Sequence, residues 1–230
     1  MAPDPTVDPW MEAPASTSET RAAYLDQSVV AYMLYGVGAV TAFLAAALSL
    51  SDAVAALHSS LLAIGLLGAG FVGDRLDTLL GSRRAHWLAY ALLLVAIVCI
   101  TTAPALPVTL VGAALVGLGA GFLLAHLNRT LTRGGGTLAR VRMSRSAMVA
   151  MVATICVPIA IGIGENSGLG WHVAFVVAMV LIATGLGASR HRPEVEAWAA
   201  ETVGRLTRGY WLTWGLVVLG VSVEFSLVFW

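Results

Sequence analysis

Glu224 is the one acidic residue well inside an apolar stretch of this 230-residue chain. An ionised side chain at the centre of a bilayer costs about 2.5–3.5 kcal/mol on insertion scales, so such a carboxyl must face a cavity, meet a partner or carry a proton. A protonatable acid in that setting can link proton movement to the passage of a solute. Tyr35, deeper in the first apolar stretch than Tyr32, offers a ring and a hydroxyl to a bound solute. Tyr32, Trp211 and Trp214 have the positions of interfacial anchors instead. His58 begins the second stretch and His126 ends the fourth. Such rings are ordinarily satisfied by a neighbouring hydroxyl or carbonyl, and His58 is kept as a cavity candidate. No His or Cys stands at ligand spacing beside Cys99 or Cys156. No metal site and no cofactor is therefore expected, and both thiols read as small packing residues.

The elements that must position these groups follow from composition. Hydrophobic residues make up 58% of the chain, charged residues 11%, and the mean hydropathy is +0.84. Lipid is the solvent this implies. Backbone groups in hydrocarbon must be satisfied internally, and long apolar runs without dyad alternation select helices over a barrel. Seven runs approach the about 20 residues needed to cross about 30 Å of hydrocarbon. They cover 29–50, 53–73, 87–103, 106–127, 146–164, 171–188 and 210–230. Residues 1–28, rich in Pro, Ala, Ser, Thr and acids, read as a disordered tail.

All 13 basic residues are arginine. The absence of lysine removes a retinal protein, whose Schiff base needs a lysine amine. Arg75, Arg83 and Arg84 lie between the second and third runs. Arg129, Arg133, Arg140, Arg142 and Arg145 lie between the fourth and fifth, and Arg190, Arg192, Arg205 and Arg208 between the sixth and seventh. The alternate connections hold none, so the positive-inside rule expects a multi-pass plasma-membrane protein with a cytoplasmic amino terminus.

Three motifs add a resemblance. The second run ends in Gly70-Phe71-Val72-Gly73-Asp74-Arg75, followed by Gly81-Ser82-Arg83-Arg84. The fifth carries Pro158, Gly162 and Gly164, and Gly170-Trp171-His172-Val173-Ala174-Phe175 leads into the sixth. Gly117 and Gly121 on the fourth read as a close-packing face. In order and type these resemble the major facilitator superfamily of transporters. Gly81 follows Asp74 by seven positions where that family commonly has three, and Ala113 stands where it commonly has an arginine.

The resemblance implies an all-α integral-membrane fold, a six-helix half-bundle of inverted three-helix repeats plus one further helix. Residues 29–188 would form the half-bundle, 189–209 a cytoplasmic linker and 210–230 the first helix of a second half. The implied cytoplasmic latch would use Gly70, Asp74, Arg75, Gly81, Arg83 and Arg84, with Pro158 and Gly162 placing a kink. A complete relative would need about five more helices, so the chain is expected to be incomplete or to self-associate. The expected function is secondary active transport of a small solute by alternating access, driven by an ion gradient such as protons or by the substrate gradient. Its partners are the bilayer and the solute, with no nucleic acid. The competing reading is a non-transporting membrane scaffold or a membrane enzyme, although the intramembrane polar residues are sparse and dispersed.

Overall fold

The computed structural model describes residues 14–102 and 105–189, together with the helical positions Gly209, Leu212, Gly215, Leu216 and Leu219. The chain divides into two compact units, Met1–Val195 and Glu196–Trp230. Among the described residues there is no strand. The first unit holds α1 (Thr17–Ala47), α2 (Asp52–Ala55), α3 (Leu57–Leu80), α4 (Ser82–Thr102), α5 (Leu106–Thr132), α6 (Gly136–Asn166) and α7 (Val173–Ser189). Among the described residues, five segments are long and apolar enough to cross a membrane: α1, α2 with α3, α4, α5 and α6. α7 is apolar and shorter.

The helices outrun the apolar stretches. α1 has 31 residues, about 46 Å at 1.5 Å each, against about 30 Å of hydrocarbon. It starts at Thr17, inside the stretch expected to be a tail. The physical cause is a capping box: the Ser16 hydroxyl accepts from the Glu19 amide at 3.3 Å, and the Glu19 carboxylate accepts from the Ser16 amide at 2.7 Å. Ala22, Ala23 and Asp26 are then buried. The basic connection expected across 128–145 shrinks to Arg133, Gly134 and Gly135, so Arg129, Arg140, Arg142 and Arg145 ride on helix ends. Gly134, Gly135 and Gly136 have φ of 83°, 56° and 59°, a left-handed run that closes this turn and that side chains rarely adopt. Gly81, with φ 78°, makes the equally tight turn from α3 to α4. Ser51 precedes α2, but its hydroxyl makes no capping bond.

α5 lies against α1, α3, α4 and α6, while α1 lies against α3, α5, α6 and α7. α3 also meets α4, α6 meets α7, and α4 meets α7. The buried contacts come from Val37, Val40 and Leu44 of α1, Leu93 and Ile100 of α4, Leu123 and Leu127 of α5, and Phe175 and Ile182 of α7. Lipid tails are as apolar as these side chains, so close fit must supply the association. Glycine supplies it. A Cβ on Gly117 would stand 2.0 Å from the Leu62 carbonyl oxygen of α3, and one on Gly65 would stand 2.2 Å from that of Ala114 on α5. The outward faces suit lipid: Met151, Ile155, Ile159 and Ile163 of α6 and Ile64, Leu67 and Phe71 of α3 are exposed at helical spacing.

Candidate functional site

Ser82, His86 and Tyr90 recur every fourth residue of α4 and so share one face. That face meets Asp26 of α1. The Tyr90 hydroxyl donates to Asp26 Oδ1 at 2.7 Å, and His86 Nε2 stands 3.6 Å from the same oxygen. A buried carboxylate needs such donors, because an unpaired charge away from water is expensive. α7 seats the tyrosine: a Cβ on Gly185 would come within 2.1 Å of the Tyr90 hydroxyl oxygen, so only glycine leaves room. The His86 ring lies edge-on to Tyr90 at 5.1 Å between centroids and tilted against His126 of α5 at 4.9 Å. His126 Nδ1 is 3.3 Å from the Ser82 hydroxyl.

His86 and His126 line a small cavity with Gly73, Asp77, Ala85 and Phe122. At this end Asp77 of α3 accepts a hydrogen bond from Arg129 of α5. Exposure climbs along the series, from 0% for Asp26 and 4% for His86 to 20% and 47% for the Asp77 and Arg129 side chains. The groups therefore form a polar track from the core to the arginine-bearing end of the bundle.

A second set of bonds closes the same end. Arg133 donates to Glu19 at 2.7 Å, and Arg142 donates to the Ala15 carbonyl at 2.7 Å and to the Arg133 carbonyl at 3.3 Å. The start of α1 is thus fastened to the α5–α6 turn. Glu19 sits in the first turn of α1, ahead of the apolar stretch that begins at Val29. Burial by itself would raise its carboxyl, but hydrogen bonds from Arg133 and Ser16 and the nearby guanidinium charge outweigh that and hold it below the ordinary value of 4.5.

The residues expected to act are scattered. His58 is fully buried: Nδ1 faces the Ala55 carbonyl at 2.9 Å, an acceptor to which it must donate, and Nε2 faces the Thr109 hydroxyl at 2.9 Å. It spans the α2–α3 break and ties α3 to α5, away from the cavity. Tyr35 is 37% exposed on α1 and does not line the cavity either. Tyr32, expected as an anchor, is buried and donates to the Ala174 carbonyl of α7 at 2.9 Å. Glu224, Trp211 and Trp214 lie outside the described residues.

The latch residues do not share one loop. Gly70, Asp74 and Arg75 belong to α3, Gly81 is the turn, and Arg83 and Arg84 open α4. Gly70 has open space where a Cβ would go, so it makes no close approach. Gly121 packs toward Ala69, whose Cβ would lie 2.5 Å from a Cβ added at Gly121. Pro158 lies inside the continuous α6. Gly162 faces open space, whereas Gly164 is the close contact, 2.1 Å from the Gly170 carbonyl oxygen to an added Cβ. Cys156 is exposed on α6 rather than packed.

Asp26, His86, Tyr90 and Gly185 were not singled out by sequence. Two signals were available: the Ser16-x-x-Glu19 capping box, which extends α1 back over Asp26, and the four-residue spacing of Ser82, His86 and Tyr90. No protein-family model matches the sequence, and no curated protein matches it.

Proposed function

We propose that the chain is a secondary active transporter of a small solute, built as inverted three-helix repeats and seated with its arginine-bearing end in the cytoplasm. One observation carries this reading. With α2 and α3 taken as one span, exchanging α1 for α5, α3 for α6 and α4 for α7 turns the list of packed neighbours into itself. The pair α3·α5 becomes α6·α1, α4·α5 becomes α7·α1, α3·α4 becomes α6·α7, and α1·α3 becomes α5·α6. The pairs α1·α5 and α4·α7 map onto themselves. Successive spans run in opposite directions, so partners three spans apart are inverted relative to each other, which is the repeat arrangement of many secondary transporters. The one-sided arginines support the orientation.

Two arms test the reading. In a background lacking Cys99 and Cys156, an impermeant maleimide added to intact cells should label Ser51→Cys and Ser167→Cys and spare Gly134→Cys. Cells producing the chain should also differ from control cells in uptake or efflux of at least one solute from a mixture of sugars, amino acids, organic acids and hydrophobic cations. Equal fluxes of every solute, with the labelling pattern intact, would remove transport and leave a scaffold or an enzyme.

A further inference from the structure

From the Asp26, His86 and Tyr90 geometry we infer that Asp26 is a reversible proton-binding site, loaded from the arginine-bearing end through His126 and His86. The inference deepens the transport reading by naming the proton as the coupled species, and it rests on that reading for its use. The proton-binding step itself stands on geometry alone.

The carboxylate lies where α1, α4 and α7 meet, and Tyr90 holds one of its oxygens in place. His86 Nε2, 3.6 Å from that oxygen, needs to advance only about 0.6 Å to reach hydrogen-bond distance. Behind His86 stands the second imidazole, His126, on the cavity wall. Imidazole is the side chain best suited to pass protons near neutrality, and intramembrane acids with histidines mark proton paths. In the transfer, a hydronium at the cavity gives its proton to a His126 nitrogen and leaves as water. His126 then hands one proton to His86, whose Nε2–H bond breaks as the Asp26 O–H bond forms. The carboxylate is neutralised, and both rings return to the neutral form as the opposite tautomer, to be reset by ring rotation or by the reverse transfer when Asp26 releases its proton.

Arg21 of α1, Arg75 of α3, Arg83 and Arg84 of α4, and Arg140 and Arg145 of α6 are exposed, and other charged groups of the neighbouring elements are engaged. Asp77 of α3 is bonded to Arg129 of α5, Glu19 of α1 to Arg133, and Arg142 of α6 to the carbonyls of Ala15 and Arg133. α7 brings the backbone of Gly185 against Tyr90. His86, beside Asp26, and His126, behind it, both line the cavity.

The test is infrared difference spectroscopy on the full chain in lipid nanodiscs as pH is lowered. A protonated-carboxyl stretch should appear with one midpoint, vanish in Asp26→Asn, shift in frequency in Asp26→Glu, and change midpoint in Tyr90→Phe. Glu165→Gln, at the opposite end, should leave it unchanged. After a rapid acid jump, His126→Leu should slow the band by about a hundredfold without altering its final height, the scale of one positioned proton-transfer group. Survival of the band in Asp26→Asn, or an Asp26 that never changes state over the range where the protein stays folded, overturns the site. Should Asp26→Asn not fold, the frequency shift in Asp26→Glu decides in its place. Unchanged acid-jump kinetics in His126→Leu overturns the route. A titrating Asp26 with no solute flux would remove the transporter and leave the proton site standing. Flux that ignores both pH and Asp26→Asn would do the reverse.

Discussion

Replacing Gly117 with alanine should loosen the α3–α5 contact by an amount that can be worked from the geometry. The new methyl carbon would stand 2.0 Å from the Leu62 carbonyl oxygen and 2.9 Å from the Leu66 nitrogen. An unstrained carbon–oxygen contact is about 3.3–3.6 Å, so α3 must withdraw by roughly 1.3 Å or more. Both obstructing atoms are backbone and cannot rotate away. Overpacking of this kind typically costs about 1–3 kcal/mol, while alanine in place of helical glycine returns up to about 1 kcal/mol. Gly162→Ala cancels the second effect, because a methyl there meets open space. The two variants should therefore differ by about 1–3 kcal/mol, or roughly 5- to 150-fold in the unfolding constant, with Gly117→Ala the weaker. Reversible unfolding in mixed micelles, followed by helix content, gives the comparison. Equal stability of the two would mean that α3 and α5 are not in backbone contact, and the packing argument would fall.

Thr109→Val removes the hydroxyl facing His58 Nε2 and should cost about 1–3 kcal/mol in the same titration, with Thr109→Ser close to wild type; equal losses in both would refute the clamp. Gly185→Ala should push the Tyr90 hydroxyl off Asp26, and adding Tyr90→Phe should restore part of the lost stability, a coupling of about 0.5–3 kcal/mol. Strict additivity would show that the two residues do not meet. Because the Glu19 carboxyl is held below 4.5 in the fold, its clasp on Arg133 adds stability that is full above that value and lost as pH falls through the folded-state value. The stability gap between wild type and Glu19→Gln should accordingly narrow as the solution is acidified below that value, and a gap that stays constant down to acid unfolding would refute the clasp.

The helical fold was legible because hydrocarbon leaves the backbone few options, and a run such as 106–127 has one reading. Helix ends were not, because periodicity weakens where a helix leaves the lipid. Residues 15–28 look like tail by composition, yet Arg133 holds Glu19 and Arg142 holds Ala15. The basic stretch from Arg129 to Arg145 looks like a loop, yet three left-handed glycines let it be two helix ends. The site was hidden for a related reason. Hydropathy favours acids deep in apolar runs, which points to Glu224, whereas Asp26 lies at the margin of its run and is buried by α4 and α7. Such burial depends on neighbours 64 residues away in the chain. The same dependence answers His58, whose partner Thr109 is 51 residues distant.

The polar track also breaks the symmetry that the packing suggests. Under the proposed exchange α4 corresponds to α7, and the residues four and eight places into α4, His86 and Tyr90, correspond to Val177 and Leu181 of α7. Both counterparts are apolar. One member of the exchanged pair therefore fills its place in the frame without a polar ladder, so packing by itself does not require His86 and Tyr90. A carboxylate with a tyrosine donor and an imidazole beside it is costly to bury, and apolar side chains of similar volume would often be as stable. Asp26, Tyr90 and His86 thus read as a departure from an apolar frame, placed at one end only. Beyond Tyr90, Leu93, Ile97 and Ile100 of α4 belong to the buried apolar core, so the polar face of that helix gives way to an apolar one, and under the proposed transport reading Asp26 would be reached from one end.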